Sequence, residues 1–419
     1  MTSPRPEIRI EVDSAGIQRR IDELSLISEA PPPVVTRVLF SDADIRGRDY
    51  VRRAAREAGL TVREDAVGNM FARWTGSEPG LAAVGSGSHT DAIPNAGRYD
   101  GVVGVLGAFE ALAALKRAGF KPRRSLEVVM FTAEEPTRFG LGCLGSRLMA
   151  GSISVEKAQA LRDRDGRTLD ELRAAAGCKG PLESVRLPAG YYHSFVELHI
   201  EQGPVLEGKG IPIGIVERIA GPSSYRVTLH GEGGHAGAVL MPARHDAMLA
   251  GAEIALAVER SAKESGSPDT VGTVGVFRIE PGAVNSVPYK AYLEIDLRDA
   301  SLGSRQKALA EIKGLAAQVC ESRGVRMEFE EINADPPAAG DPNTVAIAEE
   351  VCAELGLRSL RMVSRAYHDS LFMARVSPTT MIFIPCRNGW SHRPEEYAEP
   401  EHVASGAEVL AHTMARLAV

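Results

Sequence analysis

Five segments of this chain place imidazole or carboxylate groups beside glycine or proline, where loops and strand ends are expected: "GSHTDAIPNAGRYDG", "FTAEEPTRFG", "ELHIEQGP", "GGHAGAVLMP" and "GWSHRPEEY". Together they offer His89, Asp100, Glu135, His199 and His392. That donor set is nitrogen and oxygen without thiolate, the kind that suits zinc, manganese, cobalt or nickel. Three imidazoles and two carboxylates, with one carboxylate bridging, suffice to hold two ions with room for a water between them. Each segment alone is weak. A histidine beside glycine is usually a turn or core residue, and "YDG" is a good turn signal. The pair Glu134–Glu135 before Pro136 could simply open a helix, because acidic residues favour a helix N-terminus and proline its first position.

The elements that must position these residues follow two grammars. From about residue 60 to 216, apolar runs alternate with helical patterns, which predicts a covered, largely parallel sheet in an α/β body. "TVREDAVGNMFARW" reads as an edge hairpin, and "LAAVGSGSHTD", "LEVVMFTAEE" and "SFVELHIEQG" read as core strands. The pattern "GVVGVLGAFEALAALKRAGF" predicts a helix, with Gly119 near its end. The same grammar returns after "NADPPAAGDPN", with a helix near "TVAIAEEVCAELG" and a strand "TTMIFIPC". The two glutamates thus end a buried strand, where α/β sheets usually keep their ligands.

Between about Ile219 and Pro337 the order is strand, helix, two strands, helix, strand, the split ferredoxin-like arrangement β-α-β-β-α-β. We therefore expect a three-layer catalytic domain from residues 1–218 and 334–419, with an inserted lid or dimerisation domain over 219–333. Such an insertion creates an interdomain cleft, a favoured place for small-molecule sites. In "VPYKAYLEIDLRD", Leu293, Ile295 and Leu297 share one face, while Glu294, Asp296 and Arg298 share the other. By pattern alone Arg298 is solvated.

Bulk properties narrow the function classes. The 419 residues are too many for one ordinary domain and ample for two cores. The net charge of -7 argues against a general binder of nucleic acid or anionic membrane, and no apolar run approaches a membrane span. The N-terminal stretch has acidic residues and no apolar core, so no secretory signal is expected. Cys143, Cys178, Cys320, Cys352 and Cys386 are odd in number and lack CxxC spacing, which predicts reduced thiols in a cytoplasm. The glycines of "GVVGVLG" form neither GxGxxG nor a P-loop, so no nucleotide site is expected.

With these motifs in place, the chain resembles the amidohydrolase branch of the metallopeptidases with two co-catalytic metals. That branch includes N-carbamoyl-L-amino acid hydrolases, allantoate amidohydrolases and ureidoglycolate amidohydrolases. The resemblance covers nearly the whole chain, insertion included. The segments "DAIPNAGRYDGVVGVLGAFEAL", "FTAEEPTRFGLGCLGSRLMAG", "GGHAGAVLMPARHDA" and "SRAYHDSLFMARVSPTTMIFIPC" look most like ureidoglycolate amidohydrolases.

The resemblance implies residue roles. His89, Asp100 and His199 would hold one divalent ion, and Asp100, Glu135 and His392 the other, with manganese favoured and zinc, cobalt or nickel as alternatives. Asp91 would accept the second ring N–H of His89. Glu134 would be the general base that takes a proton from the attacking water and returns it to the leaving nitrogen. Arg298 would grip a substrate carboxylate with its fork, Asn285 and His235 would donate to the developing oxyanion, and Gln202 would contact the ureido group. Tyr367 and His368 are further substrate contacts, against which stands a merely structural turn; His230 and His245 are read as structural. The lid histidine would come from a partner subunit, which implies a homodimer. The expected substrate is a small anionic ureido compound, ureidoglycolate first, with an N-carbamoyl amino acid or allantoate as the alternatives. Rival readings are a cysteine amidase using Cys143 or Cys386, which lack a nearby His partner, a dipeptidase on the same scaffold, and a non-catalytic binding protein that kept the fold.

Overall fold

The computed structural model describes residues 10–419, and the expectation of no secretory signal rests partly on residues 1–9, which lie outside the described residues. The chain divides into two compact units. One comprises the residues up to Glu217, Ala339–Met362 and His368–Val419; the other comprises Arg218–Ala338 with Val363–Tyr367.

The first unit is built on a mixed sheet. Its path runs through strands Ile213–Ile219, Thr379–Ile384, Tyr192–Ile200, Ala83–His89, Leu126–Phe131, Met70–Trp74 and Thr61–Glu64. The four central strands, from Thr379–Ile384 to Leu126–Phe131, are parallel. The flanking pairings are antiparallel, including the expected hairpin of Thr61–Glu64 with Met70–Trp74. Ala83–His89 and Leu126–Phe131 are buried along their whole length. The reason is a core on each face. Leu126, Val128 and Met130 enter one apolar cluster with the helices Val102–Arg117 and Pro400–Leu417. Val129 and Phe131 enter a second, with Leu144 and Leu148 of the helix Leu144–Ala150. Two faces to cover explain why these strands read as continuous apolar runs instead of alternating ones.

The second unit is a four-stranded antiparallel sheet, in the order Val271–Glu280, Lys290–Asp299, Gly221–His230, Arg326–Ala334. The helices Ala247–Lys263 and Leu302–Arg323 share one core cluster with this sheet. Strand Lys290–Asp299 alternates strictly between half-buried and buried residues, with Leu293, Ile295 and Leu297 inside and Glu294, Asp296 and Arg298 on the other face. This is the predicted β-α-β-β-α-β order. Among the described residues, no helix is long and apolar enough to cross a membrane.

Candidate active site

The ligand candidates of the first unit sit at strand ends and in the loops that follow them. His89 closes the strand Ala83–His89, and His199 lies one residue from the end of the adjacent parallel strand Tyr192–Ile200. Asp100 stands at the turn before the helix Val102–Arg117. At Gly101 φ is +66°, and a Cβ there would lie 2.5 Å from the His89 ring, so only glycine lets this turn come so close. Glu134 and Glu135 follow the strand Leu126–Phe131. The helix-start reading of this pair fails: residues 136–139 form a turn, and the next helix begins only at Leu144.

The geometry favours cations. The His199 Nε2 is 3.1 Å from Asp100 Oδ1, and the His89 Nε2 is 3.6 Å from the same oxygen. The His392 Nε2 is 3.3 Å from Asp100 Oδ2 and 3.4 Å from Glu135 Oε1. Two donors that each lie about 2.1 Å from one tetrahedral ion are about 3.4 Å apart, so this spacing suits a metal. The groups His89–Asp100–His199 and Asp100–Glu135–His392 each bring their ligand atoms within 4.8 Å of one another. Tautomers are set as well. The His89 Nδ1 is 3.0 Å from the Asp91 carbonyl, and the His199 Nδ1 is 2.8 Å from the Ile200 carbonyl. A carbonyl can only accept, so in the neutral ring Nδ1 carries the proton and Nε2 is the acceptor, the nitrogen a metal would use; at His199 that nitrogen accepts the Gly101 backbone N–H at 3.2 Å.

One expectation needs correcting. The carboxylate of Asp91 lies 3.7 Å from the His89 ring nitrogen, and the residue's backbone carbonyl takes the N–H instead. The carboxylate is committed elsewhere: it accepts the backbone N–H of Glu134 at 3.3 Å and of Glu135 at 3.0 Å. Asp91 therefore holds the two glutamates in place as well as the histidine.

Electrostatics agree with a cation-seeking site. Asp91, Asp100, Glu134 and Glu135 are all under 10% exposed, and such a crowd of buried carboxylates needs compensating positive charge. Burial pushes Asp100 up, but hydrogen bonds with His199, His392 and His89 outweigh it and hold the carboxyl well below its usual range. The His392 imidazole is pushed up to about 11 by Asp100 and Glu135. Burial works to lower His89, yet the surrounding carboxylates, Glu134 foremost, raise it well above its usual value. Glu134 is raised well above an ordinary glutamate, first by burial and then by the charges of Glu135, Asp369 and Asp100. A carboxyl raised in this way takes up a proton more readily, as a general base must. The two adjacent glutamates point different ways: Glu135 meets His392, while Glu134 lies 3.7 Å from His89 and accepts from Cys143 Sγ at 3.6 Å. The Cys143 thiol is raised well above its ordinary range by burial and then by Glu134, the opposite of an activated nucleophile.

Gln202 donates its amide N–H to Asp100 Oδ2 at 2.7 Å, and its buried Oε1 has no partner among the described residues. An orphaned acceptor of this kind suits a ligand N–H. Gln202, His392 and Ala133, the residue before Glu134, all have φ between +56° and +59° without being glycine. Backbone strain of this kind clusters at functional sites. His368 is buried and packs its ring on His199, with centroids 4.5 Å apart. With Glu197 it forms a further potential ligand group around His199.

The remaining candidates belong to the second unit. His235 and Asn285 are exposed and adjoin one another, because Gly234–His235 pairs with Ser286–Val287 and the Ala236 N–H donates to the Asn285 carbonyl at 2.8 Å. Arg298 already engages a carboxylate. Its Nε and a terminal nitrogen reach the two oxygens of Asp296 at 2.6 and 3.0 Å, and its guanidinium lies 5.3 Å from the Tyr367 ring centroid. Sequence inspection passes over Ser391, Glu396, Glu197 and Asp369, although each is bonded to the cluster or packed around it. The available signal is slight: Ser391 and Glu396 lie within a segment already singled out for His392, and Asp369 follows His368.

The fold and this site define a class. The sequence profile of peptidase family M20/M25/M40 matches residues 85–416, and the chain belongs to that family, whose members are hydrolytic enzymes. Within it, the chain is 56% identical over 415 residues to a ureidoglycolate hydrolase of Oryza sativa subsp. japonica, covering 97% of this chain and 85% of the rice protein. A solved structure of AtUAH in complex with glyoxylate is similar at 54% identity and a TM-score of 0.90, over 98% of both chains. An N-carbamoyl-L-amino acid amidohydrolase of Geobacillus stearothermophilus is 38% identical over 412 residues, 97% of this chain and 99% of its own.

Proposed function

We propose that this enzyme hydrolyses the C–N bond of a small ureido carboxylate, ureidoglycolate first of all, yielding glyoxylate, ammonia and carbon dioxide. One observation carries the reading: the complete ligand set, buried except for His392, with Glu134 beside it, in a chain this similar to a ureidoglycolate hydrolase. His89, Asp100 and His199 would hold one ion, and Asp100, Glu135 and His392 a second. The thiolate-free carboxylate and imidazole donors suit manganese, which the family resemblance favours, as well as zinc, cobalt or nickel. Two such ions supply Lewis acidity and make water acidic enough to attack at neutral pH.

The chain's own residues do the rest. Glu134 takes the proton of the attacking water and passes it to the leaving nitrogen, a role its raised carboxyl suits. Gln202 offers its orphaned oxygen to the ureido N–H groups. Arg298 grips the substrate carboxylate, exchanging Asp296 for it. Asn285 and His235 donate to the developing oxyanion. Tyr367, packed beside Arg298, and His368 complete the contacts. We assign the first unit to the catalytic domain and the second, Arg218–Ala338 with Val363–Tyr367, to a lid and dimerisation domain, which shifts the expected bounds of 219–333 by a few residues and adds one short return segment. A homodimer through the latter is supported by the edge strand Val271–Glu280, which leaves Val271, Phe277 and Ile279 exposed. A reducing, cytoplasmic setting is supported by five free cysteines, of which Cys143, Cys320, Cys352 and Cys386 are buried.

The test is ammonia release from ureidoglycolate, allantoate and N-carbamoyl amino acids, using chelated protein reloaded with manganese, cobalt, nickel or zinc. Ureidoglycolate with manganese is expected to be fastest. A clear preference for an N-carbamoyl amino acid would reassign the substrate, and a preference for dipeptides would reassign the class.

A further inference from the structure

The loop after His392 returns a carboxylate to the site from which none of the roles above draws. Glu396 is 3% exposed. Its Oε1 accepts the backbone N–H of Tyr99 at 2.7 Å and of Asp100 at 3.0 Å. Its Oε2 faces the Ser391 hydroxyl at 2.9 Å, and that hydroxyl reaches Asp100 Oδ2 at 2.7 Å. The fit is close: a Cβ on Gly97 would lie 2.3 Å from the Glu396 Cβ. One carboxyl thus ties the backbone carrying the bridging ligand Asp100 to the loop carrying His392.

We infer that Glu396, acting through Ser391, is a positioning residue that sets the affinity of the Asp100–Glu135–His392 ion site. The inference rests on the two-ion reading above. The two ion sites differ in what supports them. His89 and His199 come from neighbouring parallel strands of a buried sheet, and backbone carbonyls hold their rings independently of Glu396 and Ser391. Glu135 and His392 come from loops, and the His392 side chain is 48% exposed. Asp100 serves both sites, but only its Oδ2, the oxygen facing His392, is held by Ser391 and Gln202. Removing the strut therefore frees the loop half of the cluster and leaves the sheet half in place.

Hydrogen-bond stoichiometry sharpens this. Ser391 has one proton, and it faces two carboxylates. In Glu396→Gln the amide oxygen would still accept from Tyr99 and Asp100, and the amide N–H would donate to Ser391 Oγ. The serine proton would then be left for Asp100. The strut survives this change and does not survive Glu396→Ala.

The experiment is titration of chelated wild type, Glu396→Ala, Ser391→Ala and Glu396→Gln with Mn2+ alone, followed by calorimetry and metal analysis, with circular dichroism to establish folding. Loss of a group that orients a metal ligand typically costs about 10- to 100-fold in affinity. We expect wild type to bind two ions. Glu396→Ala and Ser391→Ala should keep one tight ion and bind the second about 10- to 100-fold more weakly, while Glu396→Gln stays close to wild type. The kcat of the alanine variants should recover as Mn2+ is raised, which a folding defect would not allow. Unchanged affinity for both ions, an equal loss of both, or a Glu396→Gln variant as weak as Glu396→Ala would overturn the inference. Fewer than two ions in the wild type would overturn the two-ion reading along with it; two ions in the wild type and unaltered binding in the variants would leave that reading standing.

Discussion

The ligand cluster of the first unit and the substrate-facing candidates of the second are built on opposite plans. His89, His199 and Asp100 are nearly inaccessible, backbone carbonyls set the tautomers of the two histidines, and the sheet behind them is packed on both faces. His235 and Asn285 are exposed, and Arg298 spends its fork on Asp296. A metal ligand must be held before the ion arrives, because reorganisation would be subtracted from affinity. A substrate-binding group must instead exchange partners at every turnover, so it stays near the surface with a stand-in.

The largest expected effect breaks the first half of that comparison. Glu134→Gln should keep its metal and lose about a hundred- to ten-thousand-fold in kcat, as general acid–base groups do. Asp100→Ala should lose metal as well as activity. Rates paired with metal analysis separate the two cases, and near wild-type turnover by Glu134→Gln would end its role as base.

Next comes the fork. Losing one partner of a charge pair that substrate binding would bury typically costs about 2–5 kcal/mol, so Arg298→Lys should lower kcat/KM on ureidoglycolate by tens- to thousands-fold. An amide analogue without the carboxylate should be nearly indifferent. Asp296→Asn removes the stand-in and should lower KM. Equal kcat/KM for wild type and Arg298→Lys on the best anionic substrate would place the carboxylate elsewhere.

A third experiment asks whether the second unit serves a neighbouring subunit. If His235 acts in the partner's site, mixing inactive His235→Ala with inactive Glu134→Gln should restore roughly a quarter of wild-type activity, because half the dimers are mixed and each has one whole site. With subunit exchange confirmed, an inactive mixture would mean that each site is built from one chain.

The smallest effect concerns stability. Asp369 is fully buried, with one oxygen bonded by Ser146 and the other without a partner among the described residues. Burial first, and then the charge of Glu197, pushes its carboxyl up from 3.8 to about 8. A raised folded-state value means that the neutral form stabilises the fold at low pH. That contribution is lost as pH rises through about 8. The Tm of chelated protein should therefore fall between pH 4 and 8 more steeply in wild type than in Asp369→Asn. Parallel Tm profiles for the two proteins would show that the carboxyl is already ionised.

Much of the first unit was legible because its signals are local. A strand covered on both faces reads as the run "LEVVMF", and ligands gather where such strands end. Glu396 was not legible: its partners Tyr99 and Asp100 lie almost three hundred residues away, and nothing in "RPEEY" states which carboxylate turns inward. The Arg298–Asp296 pair was half legible, since period two puts both on one face, but only the rotamers bring the fork onto the carboxylate.

By itself, the sequence determined the donor types, the strand ends that carry them and the β-α-β-β-α-β order of the second unit, because composition and periodicity act over a few residues at a time. Tertiary structure alone decided that the Asp91 carboxylate holds the glutamate backbone and that Glu396 joins two distant loops. Those are long-range hydrogen bonds between buried groups, and their partners exist only once the chain has closed around them.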